Sequence, residues 1–263
     1  MIRGFIYGLK KFWSEVFNGD LLILSFSIVL AVTSISSVGF LGDRLQASMQ
    51  LQASSILGAD LVLRSATEID SEYLNIAASK DLRSAETITF LSMVIANGDN
   101  LLTSIKATTG SYPLRGELII TNFSGQRVQH SGSPPSGSIW IESKVSESLE
   151  LTQSDELTIG KKTFKVDGII EDYPDRNSSF VGFYPIAIAN IEDVEAMGVI
   201  QTGSRVVYRN LFIGSNQNLN QFVDALGEIP ASLRVQNADD AGDNLGEAIG
   251  NSTTFFNLAS LFT

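Results

Sequence analysis

The sequence predicts an α+β fold in which an N-terminal transmembrane helix and stalk carry an extracytoplasmic α/β subdomain with an inserted β-rich subdomain. Three observations predict it. An uncharged apolar run covers residues 21–42. Strand, helix and strand patterns follow one another in residues 59–107 and again in residues 206–235. The segment between these two repeats is dense in turns and short strands.

The uncharged run from Leu21 to Gly42 is long enough to cross a membrane. As a helix it measures about 33 Å, which matches a hydrocarbon core of about 30 Å. Asp20 and Asp43 bracket it. A cleaved signal peptide is the alternative, but its apolar core would have about 7 to 15 residues behind a shorter leader. We therefore expect a transmembrane helix over residues 21–42.

The leader, residues 1–20, carries an apolar stripe at helical spacing, which indicates an amphipathic helix lying in the membrane surface. The stripe consists of Ile2, Phe5, Ile6, Leu9, Phe12, Trp13, Val16 and Phe17. A helix packed on a protein core is the alternative. Three basic residues lie in the leader, and only Arg44 lies in the 20 positions after the run. The positive-inside rule therefore predicts a cytoplasmic N-terminus at the plasma (inner) membrane and an extracytoplasmic main domain.

The charge of the chain is concentrated outside the leader. Its formal net charge is -11, and residues 43–247 hold 27 acidic and 15 basic side chains. An acidic surface of this kind repels phosphate backbones. We expect no nucleic acid among the partners.

Small residues recur at helical spacing within the predicted span, at Ser27, Ala31, Ser34 and Ser37. Such a face lets another helix approach closely, which predicts packing in a bundle. The alternative is that the serine hydroxyls only bond back to carbonyls of their own helix.

The helical period continues past the span and returns near the end of the chain. A stalk helix is predicted over residues 43–58, with Gly58 as its C-terminal cap. Residues 239–263 predict a returning stalk and the start of a second transmembrane helix, truncated after 16 uncharged residues. A short apolar helix docked on the domain is the alternative. The two stripes are Leu41, Leu45, Met49, Ala53 and Ile56, and Leu245, Ile249, Ser252, Phe256 and Ala259.

Between the stalks, residues 59–111 and 204–238 are predicted to form the α/β subdomain and residues 112–203 the inserted β-rich subdomain, in which helices nearly vanish. Asn97-Gly98 and residues 160–162 predict tight hairpins, and residues 131–137 predict a flexible loop. Strands are expected at 59–64, 86–96, 101–107, 117–121, 138–142, 156–159, 163–170, 180–188, 206–214 and 231–235, and helices at 71–80 and 217–226.

No residues predict a catalytic, cofactor-binding or metal site. Cysteine is absent, and no GxxxxGK[ST] phosphate loop occurs. Without a G-x-S-x-G elbow, His130 is interpreted as a solvated loop histidine rather than a triad member. Asp239, Asp240 and Asp243 do not reproduce calcium-loop spacing and are interpreted as residues opening a helix. The three carboxylates of Glu171–Arg176 are expected to be solvated in a proline-containing turn, rather than to bind a cation.

Several stretches together resemble one family. They are SSVGFLGDRLQ (36–46), LGADLVLRS (57–65), TTGSYPLRGEL (108–118), EDYPDR (171–176) and VIQTGSRVVYR (199–209). In these stretches and in its order of elements, the chain resembles the FtsX-like, MacB-like family of ABC transporter permeases, and in particular the YbbP type.

The resemblance implies a MacB-like periplasmic core domain made of a porter-like α/β subdomain and a β-rich one. It further implies a separate ABC ATPase subunit, a homodimer, contact with membrane lipid, and export or mechanotransmission serving lipids, lipoproteins or other hydrophobic cargo. It implies no cofactor and no enzymatic activity in this chain. The family's further spans and coupling element have no counterpart here, so a single-span membrane-anchored extracytoplasmic binding or adaptor module is the alternative hypothesis.

Overall fold

The computed structural model describes residues 57–237 except 123–124, 153–154, 177–182 and 202. Before them it describes positions 22–23, 26–30, 32–33, 36–37, 40, 44 and 54. The predicted leader, the stalk stripe before Leu57, the returning helix and the group of Asp239, Asp240 and Asp243 lie outside these residues. They stay predictions.

The chain divides into two compact units, Met1–Met49 and Gln50–Thr263. In the first unit every described position is helical. Ser27 Oγ donates a hydrogen bond to the Ile23 carbonyl at 2.9 Å, so this hydroxyl does bond back to its own helix. No helix among the described residues combines the length and the apolarity of a membrane span. Part of the run from Leu21 to Gly42 is not described, and the span stays a prediction.

The second unit is built on a single sheet, which has eleven strands among the described residues. The strands are β1 (Leu61–Ser65), β2 (Arg83–Ala96), β3 (Asp99–Thr108), β4 (Leu118–Thr121), β5 (Arg127–His130), β6 (Ser138–Glu142), β7 (Glu156–Ile159), β8 (Lys162–Asp172), β9 (Ile186–Asn190), β10 (Val206–Ile213) and β11 (Leu233–Asn237). Their order is β11-β1-β10-β2-β3-β9-β6-β8-β4-β5, with β7 pairing both β2 and β8.

The helices of this unit are short. They are α1 (Glu72–Ser79), α2 (Ser143–Ser148), a 3-10 turn (Ile191–Asp193), α3 (Val194–Met197) and α4 (Asn216–Ala225). The predicted repeats are confirmed as β1-α1-β2 and β10-α4-β11. The two repeats interleave, because β1 lies between β11 and β10, and β10 pairs with β2. The chain between β2 and β10 supplies the other strands.

Alternation along β1 fixes the two faces of the sheet. Leu61 and Leu63 point to one face and pack with Phe212 and Phe222 under the repeat helices. The rings of Phe212 and Phe222 lie 4.8 Å apart. Val62 points to the opposite face, into a second apolar cluster. Both faces of β1 are therefore buried.

The first and last strands of the sheet lie side by side. β1 pairs with β11 in antiparallel register, and Leu61 is opposite Asn237. Directly paired residues have Cα atoms about 4.5 to 5.5 Å apart. The chain therefore enters β1 through Leu57–Asp60 and leaves β11 after Asn237 at the same end of these two adjacent strands.

Most predicted strands in residues 112–203 are confirmed, and so are both hairpin turns. Asn97 and Gly98 have φ of 52° and 87°, as a type I′ turn requires. Three expectations were wrong. The strand predicted over 180–188 is β9, which begins at Ile186 after Pro185. β5 was not predicted, and neither were the short helical turns α2 and α3, because four to six residues carry too little periodicity to show a helix.

The loop of residues 131–137 was predicted to be flexible, but it is held by hydrogen bonds. The buried carboxylate of Asp193 accepts from Ser136 Oγ at 2.5 Å and from the Gly137 amide at 3.0 Å. Lys162 Nζ lies 2.5 Å from the same carboxylate. Burial alone would raise the pKa of Asp193, but the hydrogen bonds from Lys162, Ser136 and Gly137 outweigh it and lower that pKa.

The hairpin at Gly160 gives a stability prediction. Gly160 has φ of 59°, and a Cβ there would collide with the Met197 carbonyl and Val199 Cγ1. Gly98 has φ of 87° with nothing within 4 Å of such a Cβ. We expect Gly98→Ala to cost about 1 kcal/mol for the backbone conformation alone. Gly160→Ala should cost about 1 to 3 kcal/mol more through overpacking, as measured by denaturant unfolding. Equal losses in the two variants would contradict this packing.

Candidate functional site

A buried carboxylate lies at the point where several of the quoted stretches meet. Asp175 Oδ1 accepts a hydrogen bond from Tyr112 OH at 2.9 Å and forms an ion pair with Lys106 Nζ. Asp175 Oδ2 pairs with Arg209 Nη1. Lys106 Nζ also donates to Tyr112 OH at 3.0 Å. These four residues, called the Asp175 cluster below, are each at most 6% exposed.

The sheet positions the two cations of the cluster on either side of β2. Arg209 on β10 pairs with Thr87, and Lys106 on β3 pairs with Thr89. Since Thr87 and Thr89 are two residues apart, both cations point to the same face of the sheet. The turn after β8 brings Asp175 between them. The carboxylate therefore links three strands that do not follow one another in the chain.

The cluster also holds the segment that leads into the sheet. Arg209 Nη2 donates to the Leu57 carbonyl at 3.1 Å, and Leu57 is the last helical residue before Gly58. The predicted C-terminal cap is confirmed, because Gly58 has φ of 75°. A Cβ on Gly58 would lie 3.8 Å from that of Asp175, so the turn packs directly on the cluster. A guanidinium at a helix C-terminus also interacts favourably with its dipole.

A second, more exposed contact ties down the same segment. The Arg115 side chain donates two hydrogen bonds to the Asp60 carboxylate, at 2.9 and 2.8 Å. The Arg115 amide donates to the Gly58 carbonyl at 3.0 Å. A bidentate arginine fixes orientation as well as distance. The end of the helix at Leu57 is therefore attached to the domain through Gly58, Asp60 and Arg209.

Burial dominates the electrostatics of the cluster. It lowers the pKa of Lys106; Asp175 opposes that effect, and Arg209 adds to it. Burial, together with the charge of Asp175, raises the pKa of Tyr112 well above its ordinary value. The ring of Tyr112 lies 4.7 Å from Lys106 Nζ, which adds a cation–π contact. The phenol of Tyr112 therefore stays neutral and donates a hydrogen bond to the carboxylate of Asp175.

The interpretation of Glu171–Arg176 as a solvated turn was right for two carboxylates and wrong for the third. Glu171 and Asp172 are exposed, and Glu171 pairs with Arg127 at 2.6 Å. Asp175, by contrast, is buried because two cations compensate its charge. Arg176 pairs with Glu142 on β6. The paired charges of this segment are therefore bound by other side chains of the same chain.

His130 is not a loop residue as expected. It ends β5, is partly buried, and packs its ring 5.1 Å from that of Trp140. Within the described residues, no group of three or more histidine, aspartate or glutamate side chains could hold a metal ion. The geometry at His130 indicates a packing role.

Sequence reasoning missed Lys106, Tyr112 and Arg209 as members of a site. Tyr112 and Arg209 stood in the quoted stretches, but neither was paired with Asp175. For Lys106 a signal existed: it stands between Ile105 and Ala107 in a strand with both faces buried, where an unpaired lysine is rare.

The Asp175 cluster can anchor and orient, and its enclosure leaves no reacting group accessible to a substrate. No protein-family profile matches the chain. The chain is, however, 27% identical over 255 residues to the "uncharacterized ABC transporter permease YbbP" of Escherichia coli K12. The predicted resemblance to the FtsX-like, MacB-like permeases is confirmed. The match covers 97% of this chain but 31% of that permease, so the chain spans about a third of its length.

Two solved structures are similar to part of the chain. The periplasmic region of MacB from Actinobacillus actinomycetemcomitans has a TM-score of 0.47 and 9% identity, over 73% of this chain and 96% of that one. The extracellular domain of the noncanonic ABC-type transporter YknZ from Gram-positive bacteria has a TM-score of 0.44 and 10% identity, over 67% and 100%.

Removing the central charge tests the Asp175 cluster. Asp175→Asn leaves Lys106 and Arg209 buried without their counterion, which should cost about 3 to 5 kcal/mol of unfolding free energy. Asp167→Asn, on the exposed side of β8, is the matched control and should stay within about 0.5 kcal/mol. Urea unfolding followed by circular dichroism measures both. Similar losses would mean that the cluster is not a stabilising centre.

The ring of Tyr173 lies 5.5 Å from Lys106 Nζ of the Asp175 cluster. Its phenol predicts that the unfolding free energy depends on pH. Burial raises the pKa of Tyr173 to about 12, although Arg176 acts in the opposite direction. A phenol whose folded pKa lies above its unfolded value of about 10 stabilises the fold below pH 10 and loses that contribution as the pH rises toward 12. Tyr173→Phe should therefore flatten the fall in unfolding free energy over this window. An unchanged slope would contradict the assignment.

Proposed function

We propose that this chain is the N-terminal portion of a permease subunit of an ABC-type export or mechanotransmission system. In this proposal residues 1–58 and 239–263 supply the membrane helices and stalks. Residues 59–238 form the extracytoplasmic domain, with residues 112–203 as its β-rich insert. The similarity to an ABC transporter permease over 97% of the chain supports the proposal.

The observation that carries the proposal is the pairing of Leu61 with Asn237. Two connections that meet a domain at neighbouring residues of paired strands can extend side by side. Displacement of one relative to the other then acts on one edge of the sheet. Connections at opposite ends of a domain would instead behave as independent tethers.

The Asp175 cluster makes the domain suited to receiving such a displacement. Arg209 joins the helical end at Leu57 to β10, and Asp175 joins β10 to β3 across the sheet. Buried, mutually compensating charges are costly to separate. Motion of the first stalk would therefore move the sheet as a unit, and the segment between Leu57 and β1 would keep its structure.

The proposed partners are inferred from a motif that this sequence does not contain and from its similarity to an ABC transporter permease. No phosphate-binding loop of the Walker type occurs in the sequence, so a separate ABC ATPase subunit would hydrolyse ATP. We further propose a homodimer at the plasma membrane in contact with lipid, with lipids, lipoproteins or other hydrophobic molecules as cargo and no catalytic role for this chain.

Disulfide cross-linking tests the paired stalks in the 263-residue chain, which has no cysteine. Met49 and Ile249 each lie twelve residues along the chain from the paired Leu61 and Asn237. A disulfide needs Cα atoms within about 7 Å of each other, and two stalks that run side by side would bring these positions that close. Met49→Cys combined with Ile249→Cys should therefore form a disulfide under mild oxidation in membranes. Non-reducing electrophoresis after proteolysis between the two sites detects it.

Asn251 provides the matched control, since two residues turn a helix by about 200°. Met49→Cys with Asn251→Cys should cross-link at least several-fold more slowly. Failure of both pairs, or equal yields from both, would remove the mechanotransmission proposal.

A further inference from the structure

We propose that an open, amphipathic face of the sheet binds a single-chain anionic lipid, with its headgroup on Arg64 and Arg234 and its acyl chain along Leu91, Met93 and Leu102. These five residues, with Val207 between them, are called the amphipathic face below. The inference rests on the proposed function, in which the domain handles hydrophobic cargo, and it assigns a binding surface for that cargo.

Three arginines stand in one row across neighbouring strands. Arg64 on β1 is directly opposite Arg209 on β10 and also directly opposite Arg234 on β11. Directly paired residues lie about 4.5 to 5.5 Å apart at Cα, and like charges in such positions are destabilising. Asp175 compensates Arg209. The other two arginines are left as an adjacent pair.

No carboxylate compensates that pair within the described part of the chain. Arg115, Arg127, Arg176 and Arg209 all form ion pairs there, whereas Arg64 and Arg234 form none. Burial lowers the pKa of Arg64, and the charges of Arg209 and Arg234 lower it further. In a protein of net charge -11, two adjacent uncompensated arginines are a local cationic site. Their charge complements an anionic group such as a phosphate or carboxylate.

An apolar row continues from the arginines along the same face. Val207 pairs with Thr89, two residues from Leu91, and Met93 pairs with Leu102. Met93 is 41% exposed and Leu102 is 37% exposed. Large apolar side chains that share an exposed sheet face are typical of a binding surface. Thr87 and Thr89, which lie nearer to the Asp175 cluster on this face, are buried.

The length of the row fits one acyl chain. Thr89, which pairs with Val207, and Met93 are four residues apart on β2, so the apolar row from Val207 to Met93 is about 13 Å long. One acyl chain spans half of a hydrocarbon core of about 30 Å. An anion at one end of an apolar row of this length describes a lipid. A free phosphate would leave the apolar row uncovered.

Protection of a single cysteine in the 263-residue chain tests the site. Met93→Cys is the only thiol in that variant, and its rate of maleimide labelling is measured in zwitterionic nanodiscs. Lysophosphatidic acid should slow labelling several-fold. Lysophosphatidylcholine, which has no net charge, and glycerol 3-phosphate, which has no acyl chain, should not. Equal protection by the zwitterionic lipid, or no protection at all, would overturn the proposal.

Arginine variants in the same background supply the matched controls. Arg64→Gln and Arg234→Gln should each raise the half-protecting concentration of lysophosphatidic acid about tenfold, the loss expected for one charge-assisted contact. Arg83→Gln removes an exposed arginine at the first residue of β2, four residues along the strand from the arginine row, and should change this concentration less than about twofold. Loss of protection in Arg83→Gln to the same degree would show non-specific attraction and overturn the site.

Two further measurements distinguish this proposal from the alternative explanations. Arg64→Gln should not lower the melting temperature, since it removes a repulsion beside Arg209. Labelling that slows with protein concentration in the absence of lipid would assign the face to a second copy of the chain and overturn the lipid site. The stalk cross-link forms or fails independently of Arg64, so failure of this site and failure of the permease proposal are distinguishable.

Discussion

The domain depends on a carboxylate that could not be buried alone. Asp175 is compensated by Lys106 and Arg209 and receives a hydrogen bond from Tyr112, and each of these groups is itself nearly inaccessible to water. Removing Asp175 would leave Lys106 and Arg209 without their counterion in a medium of low dielectric. The four groups therefore form together or not at all, and they fix the turn after β8, β3 and β10 in one arrangement.

That arrangement explains why the connection before β1 is well defined. A helix that ends at Leu57 leaves carbonyl groups without partners, and Arg209 supplies one donor from inside the fold. Gly58 then turns the chain with a left-handed backbone against Asp175, and Arg115 holds Asp60. Because β11 pairs with β1, the outgoing connection starts beside the incoming one. In the proposed function, relative motion of the two stalks would be passed to the sheet at these two connections.

Arginine side chains on this face of the sheet occur in two different environments. At Arg209 the charge is enclosed and compensated, so it contributes to stability and orientation. One strand away, Arg64 and Arg234 stand side by side without a carboxylate, which costs stability and is tolerated where a ligand can restore the balance. The apolar side chains of Met93 and Leu102 extend from this site on a part of the sheet that the insert does not cover.

The sequence by itself determined the local elements: the apolar residues Leu61–Leu63 predicted β1, Asn97-Gly98 predicted its hairpin, and the repeated strand, helix and strand pattern predicted two halves, whereas their interleaving was seen only in the sheet order. Such features depend on neighbours within a few residues, where propensity and periodicity act. Only the tertiary structure decided the fate of Asp175, which looked like one of three solvated carboxylates. Its partners lie 69, 63 and 34 residues away in the chain. A buried charge is compensated by residues that become its neighbours only when the chain has folded. No local sequence pattern shows which distant cations will contact it.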